Sequence, residues 1–107
     1  MNNILITGYA VNAPKFFNAG NREVALVTVA AQRPYADKNG ERQADFIQVK
    51  VWCPAKGGHG ALDFIDKGKM ISLKGQIRTS SREVNGEMQY YQDIEVPFNG
   101  IQLLGGK

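Results

Sequence analysis

The sequence predicts an all-β barrel of five strands, with one short helix between the third and fourth, on three observations. Apolar and polar residues alternate with period two in several segments rich in Val, Ile, Thr, Phe and Tyr, the pattern of strands with one buried face. The dipeptide Asn-Gly stands twice between such segments, at Asn39-Gly40 and Asn85-Gly86, and it accepts the positive φ angles of tight hairpin turns. Only one stretch, 54–67, has the composition for a helix. A length of 107 residues allows one domain, spanning 1–107, and 43% hydrophobic residues supply its core without disulfide or metal support.

The first strand is expected from Ile4 to Val11. Lys15-Phe16-Phe17, followed by Asn18-Ala19-Gly20, reads as a turn with at least one ring packed inward. A first hairpin pairs 24–35 with 43–53; in its second strand Ile47, Val49, Val51 and Cys53 fall on one face and Phe46, Gln48, Lys50 and Trp52 on the other. Pro54 to Lys67 follows, with Leu62, Phe64 and Ile65 as apolar contacts and Gly68 as a stop signal. Gly57, Gly58 and Gly60 weaken its start, so about two helical turns are expected. A second hairpin pairs 69–82 with 88–97; Ile71, Leu73, Ile77 and Thr79 oppose Ser72, Lys74, Gln76 and Arg78, and 100–104 can add a last short edge. No repeat, low-complexity tract or linker interrupts this order. It matches the OB-fold, a partly open Greek-key barrel that binds oligonucleotides or oligosaccharides. Fold order by itself does not establish function.

Composition excludes several classes. The single cysteine, Cys53, has no internal disulfide partner, so a reducing, cytoplasmic compartment is expected. Neither an export signal nor a run of apolar residues long enough to span a membrane is present. An enzyme needs a positioned base, and the only histidine is His59, in the flexible run Gly57-Gly58-His59-Gly60. Cys53 falls on an apolar face and reads as a core thiol rather than a nucleophile. One His, one Cys and scattered carboxylates lack paired-ligand spacing, so neither a metal nor any other cofactor is expected.

The candidate site is the non-core face of the 46–53 strand. Solvated strand faces carry Thr, Ser, Lys and Glu, whereas here Phe46 and Trp52 flank Gln48 and Lys50. Aromatic planes beside a cation suit unpaired bases, which offer a π-face to stack on and a phosphate for the ammonium. The competing reading packs both rings under a loop or at a subunit contact. Charge along the chain adds to the first reading: the net +3 conceals five cations and no anion from Lys67 to Arg82, then four anions and no cation from Glu83 to Glu95. Lys74 and Arg78 share one strand face and could follow a phosphate backbone with Lys50 and Arg33. They could equally pair with Glu87, Asp93 and Glu95 across the hairpin. Tyr35, beyond Pro34 at the hairpin mouth, reads as a ligand contact, and Tyr91 lies on the polar register with Gln89 and Asp93.

Ala44-Asp45-Phe46-Ile47, Val51-Trp52, Lys67-Gly68, Gly75-Gln76-Ile77-Arg78-Thr79 and Gln32-Arg33-Pro34-Tyr35 resemble, in order and spacing, the bacterial single-stranded DNA-binding proteins. The resemblance implies an OB-fold that assembles as a homotetramer and wraps single-stranded DNA with little sequence preference, in replication, recombination or repair. It implies base-stacking roles for Tyr35, Phe46 and Trp52. A further stacking aromatic of some members has no counterpart, and the nearest residue is Arg82, whose guanidinium can stack on a base and meet a phosphate. Lys74 stands where some relatives carry an acidic residue. Typical members continue into a flexible linker with an acidic, hydrophobic tip that recruits replication enzymes; the sequence stops at Gly105-Gly106-Lys107, so tail-mediated recruitment is not expected. From another class, the alternative is an OB-fold protein-interaction module of the primosomal accessory type.

Overall fold

A computed structural model of the chain describes residues 1–105. The chain end at 106–107, on which the expectation of a missing tail rests, lies outside the described residues. Seven strands form one sheet: β1 (Ile4–Ala10), β2 (Lys15–Ala19), β3 (Arg22–Ala36), β4 (Arg42–Trp52), β5 (Met70–Val84), β6 (Glu87–Val96) and β7 (Ile101–Leu103). The order β1-β3-β4-β6-β5 closes on itself because β1 pairs with both β3 and β5. The closing seam is the parallel pairing of Val49, Lys50 and Val51 on β4 with Ile94, Glu95 and Val96 on β6. This is the five-stranded barrel that the alternation predicts, with β7 as the expected short edge on β5.

Both Asn-Gly sites act as turns. Asn85 and Gly86 take φ of 54° and 82°, joining β5 to β6, and Gly40 takes 79° at the end of the β3–β4 loop. In that loop the Asp37 carboxylate accepts the backbone N–H groups of Asn39 and Glu41 and the Gln43 side-chain amide. These bonds, that from Glu41 first, hold its carboxyl below the usual carboxylate range.

Two elements differ from the sequence reading. Segment 15–20 is strand β2, paired with the start of β3 from Lys15↔Leu26 to Ala19↔Arg22, rather than a loose turn. The tight connection at Gly20-Asn21 lets the two segments zip together, and Phe16 packs inward while Phe17 stays half exposed. The expected two-turn helix is one 3-10 turn, Gly60–Phe64. Gly57, Gly58 and Gly60 all have positive φ, which an α-helix cannot accommodate, so only the stretch carrying buried Leu62 coils.

Inside the barrel lie Val27, Val29, Val49, Val51, Ile71, Leu73 and Val96, plugged at one end by Leu62 and Ile65. The core-facing residues of β3, β4 and β5 have the odd numbers that the alternation assigns to the apolar face. Beyond the barrel, β5 and β6 continue as an arm on which residues 79–84 and 87–92 are all exposed. Among the described residues no helix is long and apolar enough to cross a membrane.

Candidate nucleic-acid interface

Pairing across the sheet collects the outward residues of three strands on one surface. Phe46, Gln48, Lys50 and Trp52 leave β4 on the side opposite Val49 and Val51. Lys50 is in register with Glu95 of β6, which is opposite Gln76 of β5; the next pairs on the same side are Asp93 with Arg78, Tyr91 with Ser80 and Gln89 with Arg82. Phe46 is 70% exposed, so most of its ring is open to a ligand. Trp52 is half buried, and its ring lies under the Arg22 guanidinium at 5.4 Å. Arg22 was not legible as part of the surface; its position depends on the β2–β3 hairpin that the sequence reading missed.

A hollow of about 210 Å³ opens beside Trp52, lined also by Gln76, Arg78, Glu95, Val96 and Pro97. It has an aromatic wall, a cation and an amide, the set of groups that a base and its phosphate would use. On the far side of Gln76 and Pro97 a second hollow of about 350 Å³ is lined by Lys74, Asn3 and Asn99. Farther along the β5–β6 arm, Arg82 lies 5.4 Å from the centre of the Tyr91 ring. Tyr90, on the other side of that arm, is 77% exposed and was not singled out by the sequence.

The cations divide into two groups. Lys50 Nζ is 3.3 Å from Asp93 Oδ2, and Arg78 Nε is 3.5 Å from Glu95 Oε1. None of the ion pairs among the described residues involves Lys74 or Arg82. The surface thus carries its own acidic counter-charges at the centre and unneutralised cations toward its ends.

Arg33 stands apart. Its guanidinium bonds Asp45, with Nη2 at 2.9 Å from Oδ1, and Asp45 alternates with Phe46 and so leaves β4 on the other side. The pair holds the Asp45 carboxyl below its usual range and raises Arg33, with a smaller contribution from Tyr35 beside it. Alternation along β3 already separates Arg33 from Lys50, because Leu26, Thr28 and Ala30 lie opposite Lys50, Gln48 and Phe46, whereas Ala31, of the same parity as Arg33, lies opposite Asp45. Tyr35, 64% exposed, belongs with Arg33 at this end of β3 rather than with Phe46 and Trp52.

The profile described as "Single-strand binding protein family" matches residues 1–104. The chain is 32% identical over 104 residues to "Single-stranded DNA-binding protein 1" of Streptococcus pyogenes, covering 96% of this chain and 76% of that protein. It is 34% identical over 105 residues to "Single-stranded DNA-binding protein 2" of Listeria innocua, covering 97% of this chain and 64% of that one. The chain therefore spans 64% and 76% of the length of these two relatives. Among solved structures, "Plasmodium falciparum SSB complex with ssDNA" superposes with a TM-score of 0.66 at 20% identity, covering 97% of this chain and 93% of that one. A deletion mutant of the single-stranded DNA binding protein from Thermus aquaticus gives 0.70 at 18% identity, covering all of this chain and 52% of that one. At these identities the two structures are similar in fold.

Proposed function

Because this chain belongs to the single-strand binding protein family, we propose that it binds and coats single-stranded DNA, stacking bases on Phe46 and Trp52 and neutralising phosphates with Lys and Arg. The observation that carries this reading is the exposed Phe46, on one face with Lys50, Trp52 and Arg78. A strand face of this kind is poorly suited to water and well suited to a π-faced, anionic ligand. Lys74 and Arg82 extend the track toward its two ends, Tyr91 stacks with Arg82 on the arm, and Tyr35 with Arg33 offers a separate contact beyond the β3–β4 turn. No catalytic step belongs to this reading. Its biological setting is replication, recombination or repair in the cytoplasm. Self-association, which the family resemblance puts at four copies, is supported by Leu5 and Tyr9, which leave β1 at 72% and 46% exposure.

Trp52 is the only tryptophan, so titration with oligo-dT should quench its fluorescence, and the apparent affinity should fall as salt rises. Absence of quenching and of binding at low salt would reject the reading; light scattering of the same mixture reports subunit number and DNA stoichiometry.

The internal ion pairs lead to a second expectation. Before Lys50 and Arg78 meet phosphates they must leave Asp93 and Glu95, and those carboxylates repel the DNA backbone. Exposed pairs of this kind are worth about 0.2–1 kcal/mol each. Asp93→Asn and Glu95→Gln should therefore tighten oligo-dT binding by up to about five-fold apiece. A loss of affinity in both variants would mean that the carboxylates position the cations rather than compete for them.

A further inference from the structure

The chain's one histidine and one cysteine, separated by five residues in sequence, meet in space with Glu23 from the start of β3. His59 nitrogen, Cys53 Sγ and a Glu23 carboxylate oxygen all lie within 4.8 Å of one another. Three structural ties set this convergence. The Cys53 N–H donates to the Glu23 carbonyl at 2.9 Å, which fixes the end of β4 against the start of β3. The His59 carbonyl accepts the Leu62 N–H at 3.0 Å, anchoring the loop through a residue that is itself buried in the core. Finally, His59 Nε2 is 2.6 Å from Glu23 Oε1.

The surroundings are those of a ligand set. His59 Nδ1 is 3.6 Å from Asp63 Oδ1, which places a carboxylate beside the ring nitrogen that does not face Glu23. The Phe16 ring stacks on the imidazole at 4.1 Å and 21°, closing one side to water. Cys53 lies at the bottom, 1% exposed, while His59 and Glu23 remain partly open, so an ion would enter from outside. The carboxylates of Glu23 and Asp63 flank His59, and Arg22 is tied to the Cys53 carbonyl, to which its Nη2 donates at 3.3 Å.

We propose that Glu23, Cys53 and His59 bind a divalent transition metal of the zinc type, with three protein ligands and a fourth position open. Thiolate, imidazole and carboxylate together select a borderline-soft ion over magnesium or calcium. Around tetrahedral zinc the nitrogen and oxygen ligands stand about 3.4 Å apart and the sulfur about 3.6 Å from each. The ion needs only to part the 2.6 Å Glu23–His59 contact by less than about 1 Å and draw the thiol in by at most about 1.2 Å. As the metal–sulfur bond forms the S–H bond breaks, and the proton passes to solvent. Bound metal would lock the 54–64 loop to β3 and β4 directly behind Trp52.

Cobalt(II) tests this on the full chain, kept reduced with a phosphine. The expected result is one equivalent bound, with thiolate-to-cobalt charge-transfer absorption and the intense visible bands of a tetrahedral ion, displaced by zinc. Cys53→Ser should abolish the charge-transfer band, and His59→Gln and Glu23→Gln should each weaken cobalt binding at least ten-fold. Oligo-dT quenching of Trp52 and far-ultraviolet circular dichroism report that each variant is folded. The native spectrum decides on its own, without any variant: no charge-transfer band in folded, reduced protein overturns the proposal. So does a band whose cobalt affinity is unchanged in folded His59→Gln and Glu23→Gln, because it would belong to a lone thiol.

Discussion

Alanine at both Phe46 and Trp52 is expected to weaken oligo-dT binding by about 2–6 kcal/mol, or roughly thirty-fold to twenty-thousand-fold. Each base stack on an aromatic side chain is worth about 1–3 kcal/mol by alanine substitution. The two rings are six residues apart along β4, about 20 Å at the rise of an extended strand, so they serve different bases and their losses should add. Phe46 is nearly free of its own chain, and Phe46→Ala should leave stability almost unchanged. Trp52 is different, because its ring also supports Arg22. Trp52→Phe retains a plane for the base and should recover most of the affinity that Trp52→Ala loses. Fluorescence anisotropy of labelled oligo-dT measures all four proteins without relying on the tryptophan. Unchanged affinity in the double variant would reassign both rings to packing or to a protein contact.

What the sequence could disclose was set by how local each signal is. The β4 face was legible because strand alternation is a two-residue rule, and both hairpins were legible because Asn-Gly states its backbone geometry directly. Strand β2 was not, since adjacent Phe16 and Phe17 break the alternation and its five residues are defined only by their partner on β3. The pairing of Lys50 with Asp93 depends on β4 and β6 meeting in parallel, and nothing local to either strand records that. Arg33 was grouped with Lys50 only as a cation of a neighbouring strand, and the register of β3 on β4, which sets Leu26 opposite Lys50 and Ala31 opposite Asp45, decides which face it takes. The meeting of His59, Cys53 and Glu23 is the extreme case: paired-ligand spacing finds sites built on one turn or one helix, and this cluster is assembled from three segments by the barrel itself.

The largest stability effect is expected at Gly75, where Gly75→Ala should cost about 3 kcal/mol, the upper end of what overpacking costs. Gly75 is buried on β5 between two neighbours, opposite Ile4 of β1 on one side and next to the Gln76↔Glu95 pair on the other. A Cβ there would overlap the Glu95 carbonyl and come within 3.0 Å of Val96 Cγ2. A flexible side chain could swing away, but a backbone carbonyl moves only with its strand. Glu95 and Val96 are the residues whose pairing with Lys50 and Val51 closes the barrel, so the displacement would fall on the seam. Gly86 provides the comparison: its φ is +82° and nothing lies within 4 Å of its added Cβ, so Gly86→Ala should cost only about 1 kcal/mol for the left-handed conformation. Thermal unfolding followed by Trp52 fluorescence separates the two, with Gly75→Ala lowering the midpoint by roughly 10–20 °C. If Gly75→Ala costs no more than Gly86→Ala, the packing of β5 on β6 has slack, and the Arg78–Glu95 and Lys50–Asp93 contacts are not held in place by the close approach of these strands.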